Sequence, residues 1–207
     1  MCKKLLIIFI MCFAAICVLA SCNKRMKNTE DVINYLKDLD SYSCNVKIQI
    51  KNDKQNIEYN GTQFYSREYG NRFEIGKDRI MIYKKNKIFV QDLKNGSVYN
   101  TEDDFDSLFK LCFIDEYVYL IYTNEKVDNS FKKIYNEEYQ VISLDIPGNN
   151  KNICKARLYM NSETGSPGYL IIYDSLGDEK VKVEYSNFKQ NVKLEKKLFD
   201  IGGVDKQ

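Results

Sequence analysis

The chain has 207 residues, with 31 Lys and Arg against 29 Asp and Glu, and no histidine. Without histidine there is no Ser-His-Asp or Cys-His centre and no His-based zinc site, and the near-balanced charge lacks the basic footprint of a nucleic-acid binder. The length suits one domain with a proper core.

At the N-terminus, Lys3 and Lys4 precede an uncharged apolar run over residues 5–19, which ends in Leu19-Ala20-Ser21-Cys22. A positive start, an apolar core and a small-residue cleavage site mark an export signal. The run is about 15 residues, short of the roughly 20 needed to span a bilayer. The Leu-Ala-Ser-Cys string resembles the lipobox of bacterial lipoproteins. That resemblance implies cleavage after Ser21 and a diacylglycerol and palmitate-type anchor on Cys22, placing the protein on the outer face of a bacterial membrane. The expected organisation is a signal peptide over 1–21, a tether over 22–28, a single domain over 29–201 and a tail over 202–207. Four cysteines follow the cleavage point: Cys22, Cys44, Cys112 and Cys154. With Cys22 lipidated, three thiols remain. Either Cys44, Cys112 and Cys154 are all buried, or one is left for an intermolecular bridge.

Thr29-Glu30-Asp31 opens a helix, with acids suited to its positive end. Val32, Ile33, Leu36 and Leu39 form its apolar stripe. From Tyr42 the period changes to two: Tyr42, Cys44, Val46, Ile48 and Ile50 share one face of a half-buried strand. Further strands are expected over 57–66, 72–75, 79–84 and 87–93. Asn95-Gly96 is a strong hairpin signal. Asp103, Asp104 and Asp106 then lead into a helix in which Phe105, Leu108, Phe109, Cys112, Phe113, Tyr117, Leu120 and Ile121 keep helical spacing over five turns. This aromatic face is ordinary core or a lid lining an apolar cavity. Strands resume over 138–146, 152–160, 169–173, 180–188 and 193–199, punctuated by turns at Pro147-Gly148 and Ser175-Leu176-Gly177-Asp178. No internal repeat appears. The fold class is α+β, mainly β: one curved antiparallel sheet with one or two helices on its concave face.

Chemistry-bearing patterns are sparse. Three widely spaced thiols have no metal-ligand spacing. All three lie on expected apolar faces, where thiolate formation is disfavoured. There is no glycine-rich phosphate loop. The pairs Glu137-Glu138 and Asp103-Asp104 read as solvated charges rather than glycosidase acids. No catalytic residue, metal or cofactor is expected, and the chain reads as a non-enzyme.

The order of elements resembles the LolA/LolB superfamily of lipoprotein carriers. The tail carries most of this likeness, in Gly168-Tyr169-Leu170-Ile171-Ile172-Tyr173-Asp174, Val183-Glu184-Tyr185-Ser186-Asn187-Phe188, and Leu198-Phe199-Asp200-Ile201. The superfamily implies an unclosed β-barrel with helices at its apolar mouth. Within it, the lipobox and the Asp31-Val32-Ile33-Asn34-Tyr35-Leu36 helix leading into Tyr42-Ser43-Cys44 resemble the spore germination lipoprotein GerS family. That family implies a non-enzymatic partner of a CwlD-type cell-wall amidase, needed for cortex muramic-δ-lactam, and a strand-swapped homodimer. It also implies a location at the spore membrane facing the cortex. The superfamily offers a second reading, a carrier of lipid or lipoprotein acyl chains. The residues themselves offer nothing for or against a third, envelope-sensing role.

Overall fold

The computed structural model describes residues 29–52, 54–102 and 107–201. Cys22, Phe105, the expected tether and the tail lie outside them. Helix α1 (Thr29–Lys37) places Val32 and Leu36 inward, with Leu39 just beyond it. Strand β1 (Ser41–Lys51) follows with Tyr42, Cys44, Val46 and Ile48 buried, the period-two face read from the sequence. A meander runs on through β2 (Asn56–Ser66), β3 (Gly70–Ile75), β4 (Arg79–Lys84), β5 (Lys87–Asp92) and β6 (Val98–Glu102). Then come helices α2 (Ser107–Leu111) and α3 (Ile114–Thr123). A second meander follows, with β7 (Val127–Ile134), β8 (Glu137–Asp145), β9 (Lys155–Asn161), β10 (Pro167–Tyr173) and β11 (Glu179–Gln190), closed by a 3-10 turn at Lys196–Phe199.

All eleven strands form one antiparallel sheet in the order β6-β5-β4-β3-β2-β1-β11-β10-β9-β8-β7. Short turns force sequence neighbours to pair, so each half of the chain is a meander. The halves join where β1 meets β11, with Val46 opposite Tyr185 and Ile48 opposite Val183. The long connection from β6 to β7 carries α2 and α3 from one sheet edge to the other. One core cluster contains Met81 and Val90 from one wing, Ile142 and Leu144 from the other, and Phe109, Phe113 and Tyr117 from the helices. Both wings therefore bend around the helices. β6 and β7 remain unpaired with each other, and the barrel is open.

Close approaches fix the sheet locally. A Cβ at Gly61 would lie 2.2 Å from the Glu74 carbonyl oxygen and 2.6 Å from the Phe73 ring, so only glycine lets β2 and β3 come together there. On the outer face, Tyr139, Val141, Tyr159 and Ile171 form a second, smaller apolar cluster. The Lys182 ammonium sits 5.0 Å above the Tyr169 ring and the Arg157 guanidinium 4.8 Å above Tyr173, so both cations lie over aromatic faces beside this patch.

Four expectations are corrected. The five-turn helix is two helices broken at Cys112 and Phe113, because Cys112, Phe113 and Ile114 are all fully buried. Three consecutive residues cannot all face the core from one straight helix. The strand expected over 193–199 is instead an irregular segment ending in the 3-10 turn. β1 already pairs on both sides with β2 and β11, so no ladder position is open beside it. Instead Phe199 packs on Tyr69 at 5.8 Å, and the Leu198 carbonyl accepts from Arg72 at 2.6 Å. β7 falls in a stretch left unassigned, because its middle six residues are exposed and no apolar alternation marks it. Cys154 is half-buried ahead of β9, rather than on the apolar face of a strand.

Candidate functional site

The break between α2 and α3 is tied to the sheet by several side-chain hydrogen bonds. It leaves backbone groups without helical partners, and the sheet supplies them. The Tyr185 hydroxyl donates to the Cys112 carbonyl at 2.8 Å, and Gln63 Nε2 donates to the same oxygen at 3.3 Å. The Ile114 N–H donates to the Tyr42 hydroxyl at 3.0 Å. One turn further on, the Tyr117 hydroxyl donates to the Ile142 carbonyl at 2.6 Å. Burial pushes the Tyr42 and Tyr185 phenols well above their ordinary range, so they serve as neutral hydrogen-bonding groups.

The aromatic residues singled out in the sequence meet here. Phe109 and Phe113 pack edge-on against Phe73 at 5.4 and 6.3 Å, and Tyr83 meets Phe113 at 5.5 Å. Phe109, Cys112, Phe113 and Tyr117 are buried in the main core cluster, and Leu108 packs against it half-buried. Of these, Phe109 and Phe113 pack edge-on against aromatic residues of the sheet.

The thiols are dispersed in environment. Burial pushes the Cys44 thiol up to about 12, and its sulfur lies 4.0 Å from Gln63 Oε1. The Cys112 thiol points at the Leu108 carbonyl at 3.2 Å. Cys154 lies 3.3 Å from the Asn150 carbonyl and is the most exposed of the three. All three are free.

Sequence reasoning missed Asp115. It lies in the first turn of α3 and accepts from Asn71 Nδ2 at 2.8 Å and from the Tyr42 hydroxyl at 3.4 Å. Burial raises its carboxyl to about 6, with the Asn71 amide opposing that rise. The only sequence signal was an acid directly after three apolar residues, which reads as an ordinary helix-start charge. Asp115 also lines a pocket of about 180 Å³ between α1, α3 and the β1–β2 hairpin. A second, more open recess of about 430 Å³ is lined by Asp40, Arg67, Glu68 and Lys193 beside the β2–β3 turn. Among the described residues no three His, Cys, Asp or Glu side chains gather where they could hold a metal ion.

The sheet edges are the other exposed feature. β7 presents an eight-residue open edge, with Phe131 52% exposed and Tyr135 93% exposed at its turn. β6 is shorter, with Tyr99 46% exposed. Unpaired edges of this kind carry free N–H and C=O groups that can template a further strand.

The model of the Sporulation protein YdcC-like family matches residues 2–199. The chain belongs to that family. No curated protein matches this YdcC-like chain. An uncharacterized conserved protein from Thermus thermophilus is similar to it in fold, with a TM-score of 0.55 at 9% identity, over 86% of this chain and 96% of that one. The structure of the CwlD amidase from Clostridioides difficile in complex with the GerS lipoprotein gives a TM-score of 0.49 at 24% identity, covering 80% of this chain and 98% of that one. A LolA superfamily protein from Nitrosomonas europaea gives 0.42 at 12% identity, covering 85% and 99%. The likeness to the Thermus protein concerns the fold alone. For the YdcC-like chain, that fold is the unclosed antiparallel sheet wrapped around helices described above.

Proposed function

We propose that this chain is a membrane-anchored, non-enzymatic accessory protein of sporulation that binds a cell-wall amidase of the CwlD type and promotes its action on cortex peptidoglycan. The observation that carries this reading is the open sheet: two edges unpaired among the described residues, the longer of them, β7, presenting an exposed Phe131. Such edges recruit strands from other chains through main-chain hydrogen bonds, with side chains such as Phe131 supplying selectivity. Membership of a sporulation family supports the setting. The sequence resemblance to GerS lipoproteins, one of which is bound to an amidase in the Clostridioides difficile complex, names the partner to test. Cys22 is the proposed anchor, and anchoring through it confines the surface to the membrane where the cortex is built. The same edges also suit a second copy of the chain, including a strand-swapped homodimer, which size-exclusion chromatography with light scattering would read directly.

The test is co-purification of the amidase with the tagged chain from sporulating cells, together with muramic-δ-lactam analysis of a deletion strain. Amidase capture and lactam-free cortex are expected. Absence of the amidase, with normal lactam in the deletion strain, would contradict the proposal.

A further inference from the structure

Helices α1 and α3 lie side by side in opposite senses. Tyr42, just after α1, meets Asp115 in the first turn of α3 at 3.4 Å, whereas the Lys37 ammonium meets the Tyr122 ring, about two turns later, at 5.8 Å. The start of α1 at Thr29 therefore lies toward the C-terminal turn of α3, ~12 Å from Lys37 along the helix axis. That half of α3 is open on one side. Tyr119 is 64% and Tyr122 56% exposed, one turn apart on the same helix face. Among the described residues they are the only exposed large apolar side chains on a helix. Two rings with polar tips suit the boundary between lipid and water.

The chain in front of α1 says what covers this face. Only six residues, 23–28, separate the proposed anchor Cys22 from Thr29. Fully extended, that link spans at most ~25 Å. An anchored chain thus holds the start of α1, and the end of α3 beside it, close to the lipid surface. The same six residues include Lys24, Arg25 and Lys27 and no acid. Cations placed directly after a lipidated residue are drawn to anionic headgroups. The outer side of α1 is not itself basic, since Glu30 and Asp38 are exposed along with Lys37. Charge attraction therefore comes from the link, and apolar contact from the two rings.

We propose that the exposed face of α3, through Tyr119 and Tyr122, seats in the headgroup layer of the membrane that carries the Cys22 anchor, with Lys24, Arg25 and Lys27 on anionic phospholipids beside it. This seat rests on the Cys22 reading and adds a second membrane contact to it. The second contact turns a swinging tether into a fixed orientation of the sheet.

The chain contains no tryptophan, so Tyr119→Trp, Tyr122→Trp and Leu176→Trp each give a single fluorophore at an exposed position. Leu176 is the control. It lies in the turn between β10 and β11, beside the end of β1 farthest from α1, where Lys51 pairs with Glu179 at 3.6 Å. Each lipidated chain is purified from membranes and reconstituted in phosphatidylglycerol vesicles whose acyl chains are brominated near the headgroup. Flotation with the vesicles reads the anchor, and quenching by bromine reads the seat. All three chains are expected to float. The emission of Tyr119→Trp and Tyr122→Trp is expected to shift to the blue and to be quenched, and that of Leu176→Trp to stay unchanged. Brominated phosphatidylcholine vesicles are expected to quench the first two less. Chains that float with Tyr119→Trp and Tyr122→Trp no more quenched than Leu176→Trp, or quenched equally in the two lipids, overturn the seat and leave the anchor standing. Failure to float overturns the Cys22 reading and the seat with it.

Discussion

At the residue scale, Asp115 is a carboxyl whose ionisation opposes folding. Its carboxyl titrates at about 6, raised by burial, against roughly 4 in an unfolded chain. Between those values the folded chain holds a proton that the unfolded chain has released. Stability is therefore fullest below about pH 4 and declines as pH rises through 6. The effect has an upper bound of ~3 kcal/mol, lowered to the extent that water reaches the carboxyl through the pocket. Two carboxylates work in the opposite sense. Glu58 is held low chiefly by its hydrogen bond with Lys47, and Asp174 by the Asp178 N–H, so their contributions are lost at acid pH. The difference between parent and Asp115→Asn isolates the one group. Urea melts at about pH 4 and about pH 8 should show the parent losing stability relative to the variant at the higher pH; parallel pH profiles would contradict the assignment. Tyr117→Phe removes the 2.6 Å hydrogen bond to the Ile142 carbonyl and leaves that oxygen buried. A loss of ~1–2 kcal/mol is expected from denaturant midpoints.

At the scale of elements, much of the sheet is legible in the sequence and the exceptions have physical causes. β1 alternates because one face meets the core, and Tyr42, Cys44, Val46 and Ile48 lie inward as expected. β7 carries no such alternation, since an edge strand with exposed middle residues has no buried face to imprint a period. The 107–123 region has helical spacing throughout, yet breaks where three successive residues are buried; spacing alone does not reveal which carbonyls tyrosines from the sheet will take. The pocket was illegible for a related reason. Leu36, Tyr42, Arg67 and Asp115 come from four separate segments, and no local pattern joins them. Gly61 gives an element-level prediction. Gly61→Ala places a Cβ 2.2 Å from the Glu74 carbonyl, so β2 and β3 must separate. A loss of ~2–4 kcal/mol in thermal or urea unfolding is expected. Gly96→Ala, where nothing lies within 4 Å but φ is +72°, should cost only ~1 kcal/mol.

At the scale of the whole molecule, the chain is a sheet that curls around its helices and stops short of closing. Filling of the interior by Phe109, Phe113 and Tyr117 leaves the edges and the helical face as the surfaces available to others. If the proposed anchor is Cys22, replacing it by alanine should release the protein from the membrane fraction, and retention there would contradict that proposal. The central claim concerns recognition through an open edge, and Phe131 on β7 tests it without touching the core, since a change at a half-exposed site should alter stability by no more than ~0.5 kcal/mol. The most direct measurement is a binding titration of the purified chain, as parent and as Phe131→Glu, against the organism's CwlD-type amidase, with amidase turnover followed in the same samples. The account predicts a complex with raised turnover for the parent, at least about tenfold weaker binding for the variant, and no turnover by the chain alone. Equal binding by both chains, or no complex with either, would contradict it.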